Sequence, residues 1–133
     1  MSCESRTAVV LGAIDDPSRD SFKAIGLFRR EGYLVVPVNP MLDRIDGLAV
    51  VHCLEDVSGA VSVISVYVKY VSLFTAAILR LKPGCVVFNP GVLSKHLEPV
   101  LADAGIPFVR DCTLRLLSGG RLSRTLDGFS VLP

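Results

Sequence analysis

The sequence has no tryptophan, only two histidines and only four cysteines. No two cysteines are spaced as a Cys-x-x-Cys pair, and so few histidines leave no set of ligands for a structural zinc site. Charged residues make up 20% of the chain and the net charge is +1, so the composition lacks the basic excess typical of nucleic-acid-binding domains. We therefore expect no metal site and no nucleic-acid partner.

The sequence also lacks the apolar core of a signal peptide and a segment that would span a membrane. No apolar core of a signal peptide follows the first six residues, and Lys69 and Arg80 interrupt the most apolar window, residues 60–81. That window is rich in valine and then in alanine and leucine, which indicates a buried strand followed by a helix. A chain with a real core needs no disulfide framework, so we expect reduced thiols, a cytoplasmic location and no membrane contact.

Half of the 133 residues are hydrophobic, enough for one domain over residues 1–133. Five short apolar runs predict β-strands, at residues 7–11, 33–38, 60–66, 85–88 and 106–109. Three helical patterns begin at the capping candidates Asp20 or Ser21, Ser72 and Ser94, and end near residues 31, 81 and 104. Strands that alternate with helices in this way predict a mostly parallel sheet.

Three smaller features complete the predicted organisation. Pro37 inside the second run indicates an edge strand or a strand end, because proline cannot donate to a sheet ladder. Residues 48–52 predict a short strand, and residues 53–57 a turn or a single helical turn. Residues 118–133 are consistent with either a hairpin or a tail, and their apolar side chains would suit either a homodimer contact or the domain's own core.

The loops after the predicted strands are where a parallel sheet binds ligands. These segments are 12–14, 39–40, 67–69, 89–91 and 111–112. Glycine, asparagine and proline there would bring backbone close to a ligand, although every α/β fold also needs turn residues at these positions. The first loop precedes a helix N-terminus, a natural anion site, with Arg19 and Lys23 nearby.

The best-known nucleotide motifs are not there. The first loop has a single glycine where the dinucleotide fingerprint G-x-G-x-x-G has three, and the second strand ends in Asn39 rather than in an acidic residue. Ordinary NAD binding is therefore disfavoured. The Walker pattern G-x-x-x-x-G-K-[ST] is missing as well.

Three segments carry a resemblance to a known family. Residues 9–21 (VVLGAIDDPSRDS), 32–40 (GYLVVPVNP) and 109–112 (VRDC) resemble the small stand-alone coenzyme A (CoA)-binding domain proteins. These are similar to the nucleotide-binding domain of the succinyl-CoA synthetase α subunit. The resemblance covers about residues 8–114, and the Pro-Val-Asn-Pro segment is its most specific element. It implies a Rossmann-like three-layer αβα sandwich with a mostly parallel sheet that holds CoA at its carboxyl edge.

The resemblance also implies a set of binding residues. Gly12 and Ala13 would let the first loop approach the phosphates, and Arg19 and Ser21 would donate hydrogen bonds to them. Asn39 and Pro40 would border the nucleotide, and Lys69 with the turn from Asn89 to Gly91 would follow the pyrophosphate or pantetheine arm. Ile14 stands where the family usually has a small hydroxyl residue. The predicted cofactor-binding residues are Gly12, Ala13, Ile14, Arg19, Ser21, Asn39, Pro40, Lys69, Asn89 and Gly91.

Three functions follow as hypotheses. The first is non-catalytic binding of CoA or a short acyl-CoA. The second is an enzyme on the same scaffold that acts on an acyl thioester or a phosphorylated metabolite, with Cys112 or Lys69 involved. The third is a regulatory or NAD-type nucleotide-binding domain, or a partner domain whose ligand site has decayed. We assign no catalytic residue, because the sequence has no Ser/His/Asp order, nucleophile elbow or metal-ligand cluster.

Overall fold

A computed structural model describes residues 6–119. A five-stranded sheet forms its centre, and every pair of neighbouring strands in it is parallel. The elements in chain order are β1 Thr7–Leu11, α1 Asp20–Arg30, β2 Leu34–Val38, β3 Arg44–Ile45, β4 Leu48–Ala49, β5 Val63–Val66, α2 Thr75–Leu81, β6 Val86–Phe88, α3 Glu98–Asp103, β7 Phe108–Arg110 and α4 Thr113–Ser118. The sheet order is β2-β1-β5-β6-β7. This confirms the predicted α/β Rossmann-like fold.

The apolar runs form strands because both faces of the sheet are covered. All four residues of β5 are buried, as are four of the five residues of β1. One core cluster lies between the sheet and α1 with α4, and the other lies between the sheet and α2 with α3. Continuous burial of this kind is typical of parallel strands between two helical layers.

The strand order fixes where a ligand can enter. Successive strands lie on either side of β1, because β2 pairs with one edge of β1 and β5 with the other. The connections on the two sides leave toward opposite faces, and a crevice opens beyond the carboxyl ends of β1 and β5. The structure thus directs attention to the loop after β1 and to the chain that follows β5.

The first half of the chain agrees closely with the sequence prediction. β1 has the predicted bounds, and β2 is an edge strand, as Pro37 indicated. Helix α1 covers the predicted range to within a residue, with Ala24, Ile25 and Phe28 buried on one face. The predicted capping was wrong: Asp20 is the first helical residue, and the N-cap position is held by Arg19 without a side-chain hydrogen bond.

Several other boundaries differ from the prediction. The predicted strand over 48–52 is wrong. In its place β3 and β4, of two residues each, form an antiparallel hairpin, and Val51 makes only an isolated bridge to Val38. Ser72 does not cap α2: residues 71–74 form a 3-10 turn, and Thr75 Oγ1 donates to the Ser72 carbonyl at 2.7 Å. Helix α3 begins at Glu98, four residues after Ser94. Helix α4 was not predicted at all.

Other predictions meet the structure only in part. The turn over 53–57 is a short 3-10 helix at Leu54–Asp56. Within residues 6–119, no helix is long and apolar enough to cross a membrane. Cys53, Cys85 and Cys112 are free thiols. The hairpin-or-tail alternative for 118–133 falls almost wholly on residues outside the described range and stays a prediction.

Two glycines offer a paired test of the packing. A Cβ on Gly84 would lie 2.8 Å from the Ser62 carbonyl oxygen, whereas a Cβ on Gly26, inside α1, would meet nothing within 4 Å. We expect Gly84→Ala to lower the free energy of unfolding by about 1–3 kcal/mol through overpacking. Gly26→Ala should raise it by about 0.5–1 kcal/mol, because alanine favours the helix. Urea unfolding measures both, and equal effects of the two substitutions would contradict the packing beside β6.

Candidate functional site

The carboxyl edge of the sheet holds a central cleft of about 340 Å³. It lies between the loop after β1, the start of α1 and the chain after β5. The lining residues are Gly12, Ile14, Ser18, Arg19, Asp20, Ser21, Tyr67 and Pro90. Most of these residues are polar or small, so the cleft suits a charged group better than an apolar one.

Gly12 determines how closely the first loop approaches β5. Its φ is +91°, and a Cβ there would lie 2.9 Å from Val68 Cγ1 and 3.2 Å from the Tyr67 carbonyl carbon. The amides of Gly12 and Ala13 both donate to the Val38 carbonyl, at 3.1 and 3.2 Å. Any residue other than glycine would therefore need both a strained backbone and a displaced neighbour.

The N-terminus of α1 faces the central cleft without a cap. The helix has eleven residues, and neither Arg19 nor any neighbour supplies a side-chain cap bond. Asp16, which could have served, is turned away: its Oδ1 accepts from the Ser18 amide at 3.0 Å and from Ser18 Oγ at 2.8 Å. These bonds hold the pKa of Asp16 below its usual value. Uncapped N–H groups and the helix dipole make this end an anion-binding position.

An apolar cleft of about 220 Å³ adjoins the central one on the β2 side. The two clefts share Gly12. The lining residues are Leu11, Gly12, Val38, Pro40, His52, Cys53, Val68 and Phe74. The walls of this cleft are mostly apolar and carry few polar groups, which suits an apolar ring system.

Two side chains hold the walls of this apolar cleft. Asn39 Nδ2 donates to the Ala13 carbonyl at 2.8 Å, and its Oδ1 accepts from the Met41 amide at 2.7 Å. Arg80 Nη2 donates to three carbonyls of the segment that follows Cys53, those of Leu54 at 3.3 Å, Glu55 at 3.1 Å and Val57 at 2.9 Å. The side chains of Asn39 and Arg80 therefore shape the cleft by bonding to backbone.

A third cleft, also of about 220 Å³, opens at the ends of β6 and β7. It shares Pro90 with the central cleft. The lining residues are Phe88, Asn89, Pro90, Gly91, Val92, Arg110 and Asp111. The apolar, central and third clefts thus form a row along the carboxyl edge, joined at Gly12 and at Pro90.

A buried polar cluster supports the edge between the central and third clefts. Asn89 Nδ2 donates to the Val66 carbonyl at 2.8 Å and to Ser65 Oγ at 3.2 Å, and its Oδ1 accepts from the Thr113 amide at 2.8 Å. Ser65 Oγ and Thr113 Oγ1 are 2.8 Å apart. The Asn89 amide thereby ties β5 and β6 to the start of α4, and its bonding groups are engaged with protein.

Tyr67 lies beside this cluster and differs from its neighbours. Its hydroxyl is buried and has no hydrogen-bond partner among residues 6–119. Burial raises the pKa of Tyr67 to about 12; the nearby hydroxyls of Ser65 and Thr113 oppose the rise but do not meet the phenol at hydrogen-bonding geometry. The phenol is therefore neutral at any physiological pH.

The structure distributes the ten predicted residues unevenly. Gly12, Ile14, Arg19 and Ser21 line the central cleft, Pro40 lines the apolar cleft, and Asn89 and Gly91 line the third. Ala13 is fully buried and, with Asn39, joins the two loops. Lys69 lines none of the three clefts, and its Nζ lies 5.5 Å from the ring centroid of Tyr70.

Sequence reasoning also missed several lining residues. Ser18, Tyr67 and Pro90 line the central cleft, and His52 and Cys53 line the apolar one. Tyr67 and Pro90 stand in strand-end segments and had a visible signal. His52 and Cys53 belong to an irregular segment that lies beside the end of β2, where Val51 bridges Val38. No pattern in the sequence indicates that this segment lies there. Cys112, the N-cap residue of α4, lines none of the three clefts.

Comparison with known proteins adds the family. A family profile described as "CoA binding domain" matches residues 6–118. The chain belongs to this CoA-binding domain family. Its predicted resemblance to stand-alone CoA-binding domain proteins is thereby confirmed.

One relative in sequence and two solved structures are similar to this chain. The uncharacterized protein YneT of Bacillus subtilis (strain 168) is 25% identical over 114 residues, which are 84% of each chain. The Thermus thermophilus protein solved as cell-free ID.343 has a TM-score of 0.79 at 31% identity, over 88% of this chain and 90% of that one. Acetyl-coenzyme A synthetase 1 of Ca. Korarchaeum cryptofilum, solved with phosphate and ADP, shares the fold at a TM-score of 0.66 and 20% identity, over 80% of this chain and 26% of that one.

The polar cluster generates a prediction about stability. Tyr67→Phe should raise the free energy of unfolding by about 1 kcal/mol, because it removes a buried hydroxyl that has no partner in the described part of the chain. Ser65→Ala should lower it by about 1–3 kcal/mol, because it leaves Thr113 and Asn89 short of a partner. Urea unfolding of the two variants should therefore give opposite signs. A loss of stability in both would mean that the phenol is satisfied.

Cys53 generates a prediction about reactivity. Its thiol donates to Asp56 Oδ2 at 3.1 Å, and that hydrogen bond raises the pKa of Cys53. Alkylation, which needs the thiolate, should therefore rise with pH later than for free cysteine. Asp56→Asn should speed the reaction severalfold at pH 8, as peptide mapping by mass spectrometry can show. Cys85, whose pKa burial raises to about 12, serves as the unreactive internal control. Equal rates at Cys53 with and without Asp56 would contradict the assignment.

Proposed function

We propose that this protein binds CoA or a short acyl-CoA across the carboxyl edge of its sheet and does not itself catalyse a reaction. The observation that carries the proposal is the uncapped N-terminus of α1, which faces a cleft lined by Arg19, Ser18 and Ser21. Membership of the CoA-binding domain family supports CoA as the ligand class. The row of three clefts supports an extended ligand with chemically distinct parts.

The central cleft is the proposed phosphate site. Amides at the start of α1 and the Arg19 guanidinium would bond the phosphate oxygens, because charge-assisted hydrogen bonds of this kind are the strong ones. Ser21 is 4% exposed, and its hydroxyl makes no hydrogen bond to a described residue, so it is available to a ligand. Asp20 also lines the cleft and opposes an anion. Arg19 offsets that charge.

The two flanking clefts would take the remaining parts of CoA. The adenine ring would lie in the apolar cleft against Val38, Pro40 and Phe74, which present the apolar walls that such a ring needs. The pantetheine arm would leave on the other side, past Pro90 toward Gly91 and the third cleft. Ala13, Ile14 and Asn39 would shape the loops that border the nucleotide, whereas Lys69 lines none of the three clefts.

Binding is favoured over catalysis by the positions of the two side chains that the sequence suggested for an enzyme. Cys112 and Lys69 were the candidates for an enzyme on this scaffold, and neither lines the central cleft or its two neighbours. CoA is favoured over NAD because the residue that follows β2 is Asn39, not the acidic residue that binds a ribose diol, and the Asn39 amide is engaged with backbone. The homodimer and the cytoplasmic location remain predictions from the sequence.

Arg19→Glu tests the function directly. We expect it to weaken CoA binding by well over tenfold in isothermal titration calorimetry, because it replaces a phosphate-binding charge with a repelling one. The variant should keep its stability, since a negative charge is favourable at a helix N-terminus. Arg30→Glu makes the same change of charge at the other end of α1 and should leave the affinity within about twofold.

A ligand panel completes this test. A ligand at a hundred times its dissociation constant stabilises the folded state by about 2.7 kcal/mol, which shifts the melting temperature by several degrees. CoA and acetyl-CoA should produce that shift, and NAD, NADP, ATP and ADP should produce less. A shift with NAD alone, or no shift with any of the six compounds, would overturn the proposed function.

A further inference from the structure

We propose that the third cleft, at the ends of β6 and β7, is an acyl-group site that prefers an acyl chain ending in a carboxylate, with Arg110 as the recognising side chain. The inference rests on the proposed function and deepens it, because it names the class of acyl-CoA that the site would select.

Continuity with the central cleft is the first support. Pro90 lines both clefts, so a ligand anchored by its phosphates at α1 meets the third cleft next along the edge. Only β5 lies between β1 and β6, and neighbouring strands are about 4.8 Å apart. The arm of CoA therefore has to cross roughly 10 Å, two strand spacings, to bring its thioester to this cleft.

The size and walls of the cleft limit the group that it can hold. Its volume is about 220 Å³, and a water molecule takes about 30 Å³ in the liquid, so a group of a few heavy atoms fits. Phe88 and Val92 supply apolar wall for a short methylene chain. The polar end of such a chain would meet Arg110 or Asp111, the two charged residues of the lining.

Arg110 has unused hydrogen-bonding capacity. Its side chain is 68% exposed, and Nε lies 3.3 Å from Glu98 Oε2. None of its N–H groups donates a hydrogen bond to a residue in the described part of the chain. Glu98 is itself held by Ser94 Oγ at 2.6 Å, so the ion pair orients the guanidinium while leaving its fork available. A planar guanidinium matches a carboxylate in two parallel hydrogen bonds.

Asp111 does not oppose a carboxylate with its full charge. Its Oδ1 accepts from the Cys112 amide at 2.7 Å and lies 3.7 Å from Arg115 Nη1. The charge of Glu98 is likewise offset by its ion pair with Arg110. The four charged groups around the cleft are thus two ion pairs, and Arg110 is the cation among them that lines the cleft.

A matched pair of thioesters tests the inference on the whole 133-residue chain. Malonyl-CoA and isovaleryl-CoA have acyl groups of similar shape, but only the first ends in a carboxylate. Isothermal titration calorimetry should give malonyl-CoA a dissociation constant at least threefold below that of isovaleryl-CoA. Raising the ionic strength should reduce this preference, since the recognised charge is near the surface.

Three variants separate recognition from a structural role. Arg110→Gln should abolish the preference, and Glu98→Gln should enlarge it, because the guanidinium would then have no competing carboxylate. Opposite effects distinguish recognition from simple disruption of the ion pair, which would act the same way in both variants. Arg29→Gln removes an arginine in the last turn of α1 whose partner, Asp46 Oδ2 at 3.6 Å, does not line the cleft, and should leave the preference unchanged.

The outcomes divide cleanly between the two proposals. If CoA binds and the two thioesters bind equally well, or if both variants of the ion pair lose the preference alike, the acyl site is overturned while the proposed function stands. If CoA, malonyl-CoA and isovaleryl-CoA all fail to bind, the proposed function is overturned and the acyl site with it.

Discussion

Gly12 follows β1 at the point where the strand order reverses. Because glycine has no Cβ, the chain after β5 can pack directly against it. Val68 and the backbone of Tyr67 would lie within 2.9–3.2 Å of a Cβ at this position, and the Tyr67 amide donates to the Leu11 carbonyl at 2.8 Å. The close approach brings the first loop, the end of β5 and the start of α1 around one cleft. Both the central and the apolar clefts depend on it, since Gly12 lines each.

The other half of the edge depends on buried hydrogen bonds rather than on a close approach. Asn89 connects β5, β6 and α4, and Ser65 and Thr113 complete the connection. Because a buried polar group without a partner destabilises the fold, such a cluster specifies one arrangement of its elements. Tyr67 lies beside the cluster, and its hydroxyl, which has no partner among residues 6–119, lowers stability at the wall of the central cleft.

The charges along the edge fit the order of the clefts. The apolar cleft has no charged side chain other than the imidazole of His52, should it be protonated, and that ring pairs with Asp43 at 2.9 Å. The central cleft carries Arg19 and a helix N-terminus against Asp20. The third cleft carries Arg110 and Asp111, each with an outside partner. An elongated ligand with a flat ring, a charged middle and a small polar end would match this order of surfaces.

Much of the fold was predictable because its signals are local. Continuous apolar runs such as 7–11 are typical of strands in a doubly covered sheet, and Pro37 indicated either a strand end or an edge strand, of which the structure shows the edge. The short elements were not predictable. Helix α4 has six residues, and the Asn89 side chain, 24 residues away in sequence, bonds its first amide. The β3–β4 hairpin has two residues in each strand, too few for a periodic pattern.

By itself, the sequence determined the fold class and the family, because hydrophobic runs, turn residues and the Pro-Val-Asn-Pro segment are all readable in order along the chain. Only the tertiary structure decided which side chains face a cleft. Asn39 was predicted to border the nucleotide, yet its amide is engaged with backbone and it lines none of the three clefts, while Ser18, Tyr67 and Cys53 do line them. Hydrogen bonds between segments far apart in sequence orient these side chains, and the spacing of residues along the chain does not reveal such bonds.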